Sequence, residues 1–115
     1  MKKLLYIFGI TLLLFGCMKE KGQLISTKSA CDSTITYSGV IYPIIQSNCA
    51  ISGCHVNKGS GPLDYTIYAN VDTIVVNGKL KDRMMVKKDM PASAPMSDAD
   101  IAKFQCWMDR GAPNN

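Results

Sequence analysis

The segment CAISGCHV, residues 49–56, brings two cysteines and the only histidine of the chain together within seven positions. Cys54 and His55 are adjacent, and four residues separate Cys54 from Cys49. A chain of 115 residues is long enough for a single domain. Because a small domain often needs a disulfide, a metal or a cofactor to be stable, the chemistry of this segment should decide how the chain folds.

Residues 1–16 have the pattern of a signal peptide. Lys2 and Lys3 precede an apolar run at residues 4–16, which is too short to span a bilayer. The run ends in LFGC, which resembles the lipobox of bacterial lipoproteins. That resemblance implies cleavage before Cys17 and acylation of its thiol, giving an exported lipoprotein anchored to a membrane and facing the periplasm or the cell surface. An ordinary secretory peptide with an incidental Cys17 is the alternative.

The rest of the chain divides into a linker and one domain. Residues 17–30 are polar and lack periodicity, which predicts a flexible linker. Residues 31–115 should form the folded domain. The formal net charge of +4 is mild, and no nucleic-acid partner is expected from it.

Helical periodicity is visible in three parts of the domain before its last helix. Residues 37–48 should form a first helix capped by Ser38, with apolar side chains recurring at helical spacing. Residues 66–78 predict a second helix that ends at Gly78, although its Thr, Ile and Val content would also suit a strand. Residues 80–86 suggest a further helical turn.

The last helix is the clearest element of the sequence. Ser97 is the expected N-cap, and Asp100 follows three residues later, as in a capping box. Arg110 suits the last turn, and Gly111 lies just beyond it, where helices commonly end.

Several interpretations of the Cys-His segment are open. A structural zinc site would need Cys₃His, since there is one histidine, and the adjacent Cys54 and His55 are an awkward pair for one tetrahedral ion. Nucleophilic Cys-His catalysis needs the base beside the thiol in space and a third group that orients the base. A domain held only by disulfides is plausible in an exported protein.

Covalent haem attachment explains more of the pattern. The usual motif is C-x-x-C-H, in which two thiols bind the haem and the next histidine binds the iron. Cys54 and His55 meet the requirement for adjacency, while Ser52-Gly53 makes the longer arc to Cys49 flexible. This interpretation makes Cys49 and Cys54 the attachment residues and His55 the proximal ligand.

A resemblance to a known family is carried by three segments: YPIIQSNCAISGCH, DMP at residues 89–91, and MSDADIAKFQCWMDRGAP. Together they resemble the class I cytochrome c family over most of residues 37–113. They are most similar to small lipoprotein cytochromes of Gram-negative bacteria. The resemblance implies an all-α fold around one covalent haem c, with the first and last helices crossing.

The function implied is the transfer of single electrons between redox partner proteins, without enzymatic activity. The alternatives are a haem enzyme or gas-sensing haem domain, and a non-haem structural lipoprotein stapled by disulfides.

The second axial ligand cannot be a histidine of the same chain, because His55 is the only one. Met90 is the preferred candidate, since Pro91 biases it toward an extended conformation and Met-Pro at this place matches the cytochrome pattern. Met96 is the next candidate, although its place before Ser97 also suits a hydrophobic staple. A lysine, another methionine or an open position are the remaining alternatives.

Cys31 and Cys106 remain if lipid and haem take the other three cysteines. We therefore expect a Cys31–Cys106 disulfide, with two separate thiols as the alternative. At roughly 100° per residue, Cys106 should point away from the helix face formed by Ile101, Phe104 and Met108. A thiol on that outer side could pin the N-terminal segment across the last helix.

Overall fold

The computed structural model describes residues 31–115, and every regular element in that range is a helix. Helix α1 joins a π-helical turn to α-helical turns, and α3 joins a short α-helix to a π-helical turn. The bounds are Tyr37–Ile41 followed by Tyr42–Asn48 for α1, Tyr68–Val76 for α2, Lys79–Lys81 followed by Asp82–Val86 for α3, and Asp98–Asp109 for α4. None of these helices is long and apolar enough to cross a lipid bilayer.

The predicted signal peptide, the predicted acylation site at Cys17 and the predicted linker at residues 17–30 lie outside the described residues. They remain predictions of the sequence.

The N-cap of α1 differs from the prediction. Thr36 is the cap, since its side-chain oxygen accepts a hydrogen bond from the Gly39 amide at 3.1 Å. Ser38 lies inside the helix, and its amide donates to the main-chain oxygen of Asn115 at 2.8 Å. The prediction was wrong because α1 begins with a π-helical turn at Tyr37. Pro43 falls in the first turn of the α-helical part, where proline is tolerated.

Helix α2 settles the ambiguity between helix and strand in favour of a helix. It is shorter than predicted because Thr66 belongs to a preceding turn, where the Asp64 carboxylate accepts from the Thr66 amide and hydroxyl at 2.9 and 2.6 Å. Beyond the end of α2, Gly78 has a left-handed φ of 75°, which favours glycine.

Helix α4 begins as predicted. The Ser97 hydroxyl oxygen accepts from the Asp100 amide at 3.1 Å and donates to the Asp100 carboxylate at 2.9 Å. A hydrogen bond from Lys103 holds the pKa of Asp100 below its usual value, and Ser97 lowers it further. Gly111, at φ 85°, follows the helix as expected.

The first and last helices meet in the core. Trp107 and Phe104 are fully buried, and the Trp107 ring stacks on Tyr37 with 5.6 Å between ring centroids. The Trp107 indole N–H donates to the Pro113 carbonyl at 2.9 Å. The other buried members of this core are Ile41, Ile45, Val71, Ile74, Leu80, Met84, Met96 and Ala112. Helices α2 and α3, with the Cys-His loop and the segment before α4, shape a cavity.

Candidate cofactor-binding site

A cavity of about 750 Å³ lies between the Cys-His loop, α2, α3 and the segment before α4. Its size is within the range of small-molecule and cofactor sites. Cys49, Cys54, His55 and Met90 all line it. The structure therefore brings together, around one space, the four residues that the sequence nominated as cofactor-binding. Apolar side chains form much of the remaining wall, namely Leu63, Ile74, Leu80, Met84 and Pro91.

The Cys-His loop is closed by its own main chain. The His55 amide donates to the Cys49 carbonyl at 3.1 Å, and the Cys54 amide donates to the Ile51 carbonyl at 3.0 Å. These bonds fold the four-residue gap into a compact arc. Burial and the nearby Cys54 raise the pKa of the Cys49 thiol to about 11.

The His55 ring has a defined orientation. Its Nδ1 lies 3.2 Å from the carbonyl oxygen of Leu63. Because a carbonyl oxygen can only accept, Nδ1 is the donor in this contact, and in the neutral ring that tautomer leaves the Nε2 lone pair free. A hydrogen bond from the second ring nitrogen is the usual way in which a protein orients a metal-binding histidine.

Two residues that the sequence did not nominate confine the same ring. Tyr65 stacks on it, with 4.0 Å between ring centroids and 5° between planes. Gly61 passes so close that a Cβ there would lie 2.4 Å from His55 Nδ1. Gly61 lies in the segment GSGPLD, and nothing local in that sequence indicates that it approaches the histidine.

The two candidate methionines have different environments. Met90 is half-buried and lines the cavity. Met96 is 8% exposed and belongs to the hydrophobic core, and it does not line the cavity. Its burial just before the Ser97 cap agrees with the packing role that the sequence suggested as its alternative.

Charged side chains are present where α3 borders the cavity. Arg83 pairs with Asp89 and Lys87 pairs with Asp82, each with 2.7 Å between nitrogen and oxygen. All four side chains are 43–57% exposed, so each pair contributes little to the free energy of unfolding.

These residues fit a haem group. Two neighbouring thiols, a histidine whose Nε2 is free, a methionine thioether and an apolar wall are the donor set and surroundings that a c-type haem requires. Residues 31–115 contain no cluster of three or more His, Cys, Asp or Glu side chains arranged to hold a metal ion.

Cys31 and Cys106 are also brought together. Both are free thiols in the structure, and burial, followed by the proximity of the Cys31 thiol, raises the pKa of Cys106. Cys106 is 6% exposed but lies outside the main hydrophobic core, as expected for a thiol on the outer side of α4. Arg110 donates a hydrogen bond to the Ile35 carbonyl and so holds the N-terminal segment nearby.

With export as the sequence predicts, we expect Cys31 and Cys106 to form a disulfide. The two thiols would lose two protons and two electrons to an oxidised dithiol protein by thiol–disulfide exchange. The loop closed is long, so the bond should stabilise the domain by on the order of 4 kcal/mol in the entropic model. Alkylation of the denatured, unreduced protein should leave both cysteines unmodified, and reduction should expose them.

The Cys31→Ser variant is the matched control, since it should leave Cys106 open to alkylation without reduction. Alkylation of both cysteines in the unreduced wild-type protein would contradict the bridge.

No family model matches this chain, and no curated protein and no solved structure matches it either. A function for the chain therefore has to be inferred from the side chains that surround the cavity.

Proposed function

We propose that the protein is a membrane-anchored monohaem c-type cytochrome that carries single electrons between redox partner proteins. The observation that supports it most is the presence of Cys49, Cys54, His55 and Met90 around one cavity, although Met90 comes from a distant part of the chain. The all-helical architecture is compatible with a class I cytochrome c-like fold, which we include in the proposal. When bound, the haem supplies a one-electron couple between ferric and ferrous iron.

Each residue has a role in this proposal. Cys49 and Cys54 hold the haem through thioether bonds, which keeps it on an exported chain. His55 would hold the iron through Nε2, in the orientation that the Leu63 carbonyl imposes. Met90 would hold it through its thioether. A haem iron held by both side chains would leave no position for a substrate, which favours an electron carrier over an enzyme.

A pyridine haemochrome spectrum tests the proposal. Protein matured by a functional haem-attachment system should carry one haem per chain, and the haem should remain on the chain through acid–acetone extraction. Cys49→Ser and Cys54→Ser should each remove one thioether and shift the spectrum. Cys106→Ser is the control, because Cys106 does not line the cavity.

Absence of haem, or its free extraction from the wild-type chain, would contradict the proposal. The disulfide-stapled lipoprotein would then be the better interpretation.

The proposal includes a lipid anchor on Cys17, which rests on the sequence LFGC after the apolar run. Each buried CH₂ of an acyl chain contributes roughly 0.8 kcal/mol to membrane attachment. Cys17→Ala should therefore abolish incorporation of labelled fatty acid and release the protein from the membrane fraction. Cys31→Ser should remain acylated. Unchanged labelling of the Cys17→Ala variant would exclude this anchor.

A further inference from the structure

The turn that leads into Met90 is held by a single residue of α3. The main-chain oxygen of Arg83 accepts from the Asp89 amide at 3.1 Å and from the Met90 amide at 3.4 Å. The Arg83 side chain closes the same turn, since its Nε donates to the Asp89 carboxylate at 2.7 Å. The main chain of Arg83 thus contacts both residues that precede Pro91, and its side chain contacts the first of them, Asp89.

The backbone of this turn needs such support. Lys88 has a left-handed φ of 54°, which is unfavourable for a residue with a side chain. A strained conformation of this kind persists only where the surrounding contacts impose it. The contacts of Arg83 lie directly after Lys88 and on the Met90 side of the turn.

The far side of Met90 is also fixed. Pro91 is buried and lines the cavity, while Met90 is half-buried beside it. The chain on one side of Met90 is therefore anchored by packing, and the chain on the other side by Arg83. A methionine held between two anchors has few ways to leave the cavity wall.

We propose that Arg83 and Asp89 form a latch that positions Met90 as the second axial ligand. This inference rests on the proposed function. The latch matters little for the overall stability of the domain, because the ion pair is about half exposed. Its effect is on the equilibrium between the state with Met90 at the iron and the state with Met90 displaced.

Carbon monoxide reports that equilibrium, because it binds the reduced protein only when the methionine is displaced. The apparent affinity for such a ligand is proportional to the fraction of molecules in the competent state. Loss of an exposed ion pair should change that fraction about two- to fivefold. Hydrogen exchange of the Met90 amide gives a second readout that does not involve the iron.

The test compares three variants of the full-length holoprotein. Asp89→Ala removes the carboxylate and should raise the carbon monoxide affinity about two- to fivefold, with faster exchange of the Met90 amide. Asp89→Asn keeps an oxygen that can accept from Arg83 Nε, so it should restore part of the wild-type behaviour. Lys103→Ala is the control, because it removes an ion pair on α4 that also has 2.7 Å between nitrogen and oxygen.

The outcomes separate the latch from the proposed function. Wild-type affinity and amide exchange in Asp89→Ala, or equal changes in Asp89→Ala and Lys103→Ala, would overturn the latch while leaving the haem proposal standing. A wild-type protein without covalent haem would overturn the proposed function, and the latch with it.

Discussion

Replacement of Met90 by alanine should raise the affinity of the reduced protein for carbon monoxide by at least about tenfold. A minor conformational state is typically populated at 0.1–10%, so complete removal of the competing thioether should increase the open fraction by roughly 10- to 1,000-fold. The ferric protein should also lose the weak far-red charge-transfer band that His/Met-ligated cytochromes show. The reduction potential should fall, because methionine ligation raises it.

Met96→Ala is the matched control for this experiment. Met96 is almost fully buried in the core, so its truncation should cost about 2–5 kcal/mol of unfolding free energy. The far-red band and the low carbon monoxide affinity should nevertheless persist in the folded variant. The opposite pattern, with the band lost in Met96→Ala and kept in Met90→Ala, would assign the ligand to Met96.

The second large effect is expected for Gly61→Ala. The new Cβ would lie 2.4 Å from Nδ1 and 2.7 Å from Cε1 of His55, closer than ordinary van der Waals contact. The ring is confined on its face by Tyr65 and at Nδ1 by the Leu63 carbonyl, so it cannot move aside without losing a contact. Overpacking of this kind typically costs about 1–3 kcal/mol. We expect a loss of normal His55 ligation, measured as altered absorption and a lower potential.

Gly78→Ala separates this effect from a general loss of stability. Gly78 has a φ of 75° but no atom within 4 Å of the position where its Cβ would lie. Its substitution should therefore strain the backbone and lower the thermal midpoint without changing the absorption spectrum. An unchanged spectrum and potential in Gly61→Ala would show that the histidine ring does not need this close approach.

The sequence predicted correctly those helix ends that depend only on residues close by in the sequence. Ser97 caps α4 and Gly111 follows it, because capping and left-handed C-terminal positions are decided within one helical turn. The prediction of Ser38 as the N-cap of α1 was wrong because the cap depends on contacts outside that turn. The Ser38 amide bonds to Asn115, at the other end of the described chain, and the π-helical turn moves the cap to Thr36. A contact between residues so far apart in the sequence cannot be recognised from the residues around Ser38.

In the candidate site, too, some residues could be predicted from the sequence and others could not. Cys49, Cys54 and His55 were nominated by residue type and order, and Met90 by the following proline and the cytochrome resemblance. All four line the cavity. The residues that orient them were missed. Tyr65 was not singled out, although it stacks on His55 ten positions away. The Arg83–Asp89 contact spans six residues, which is not a helical spacing, because the chain turns at Lys88.

The position of Cys31 beside Cys106 on α4 bears on how far the folded domain can lie from a membrane anchor. The described domain begins at residue 31, so with Cys17 acylated as proposed the covalent length of the chain between these two residues limits the distance from the lipid to the domain. Fully extended, that stretch reaches at most ~50 Å. For the proposed electron carrier, the search for a redox partner would then be confined to a thin layer above the lipid surface, where tethering raises the local concentration without any added affinity. A partner of such a carrier would have to expose its own redox centre within that layer.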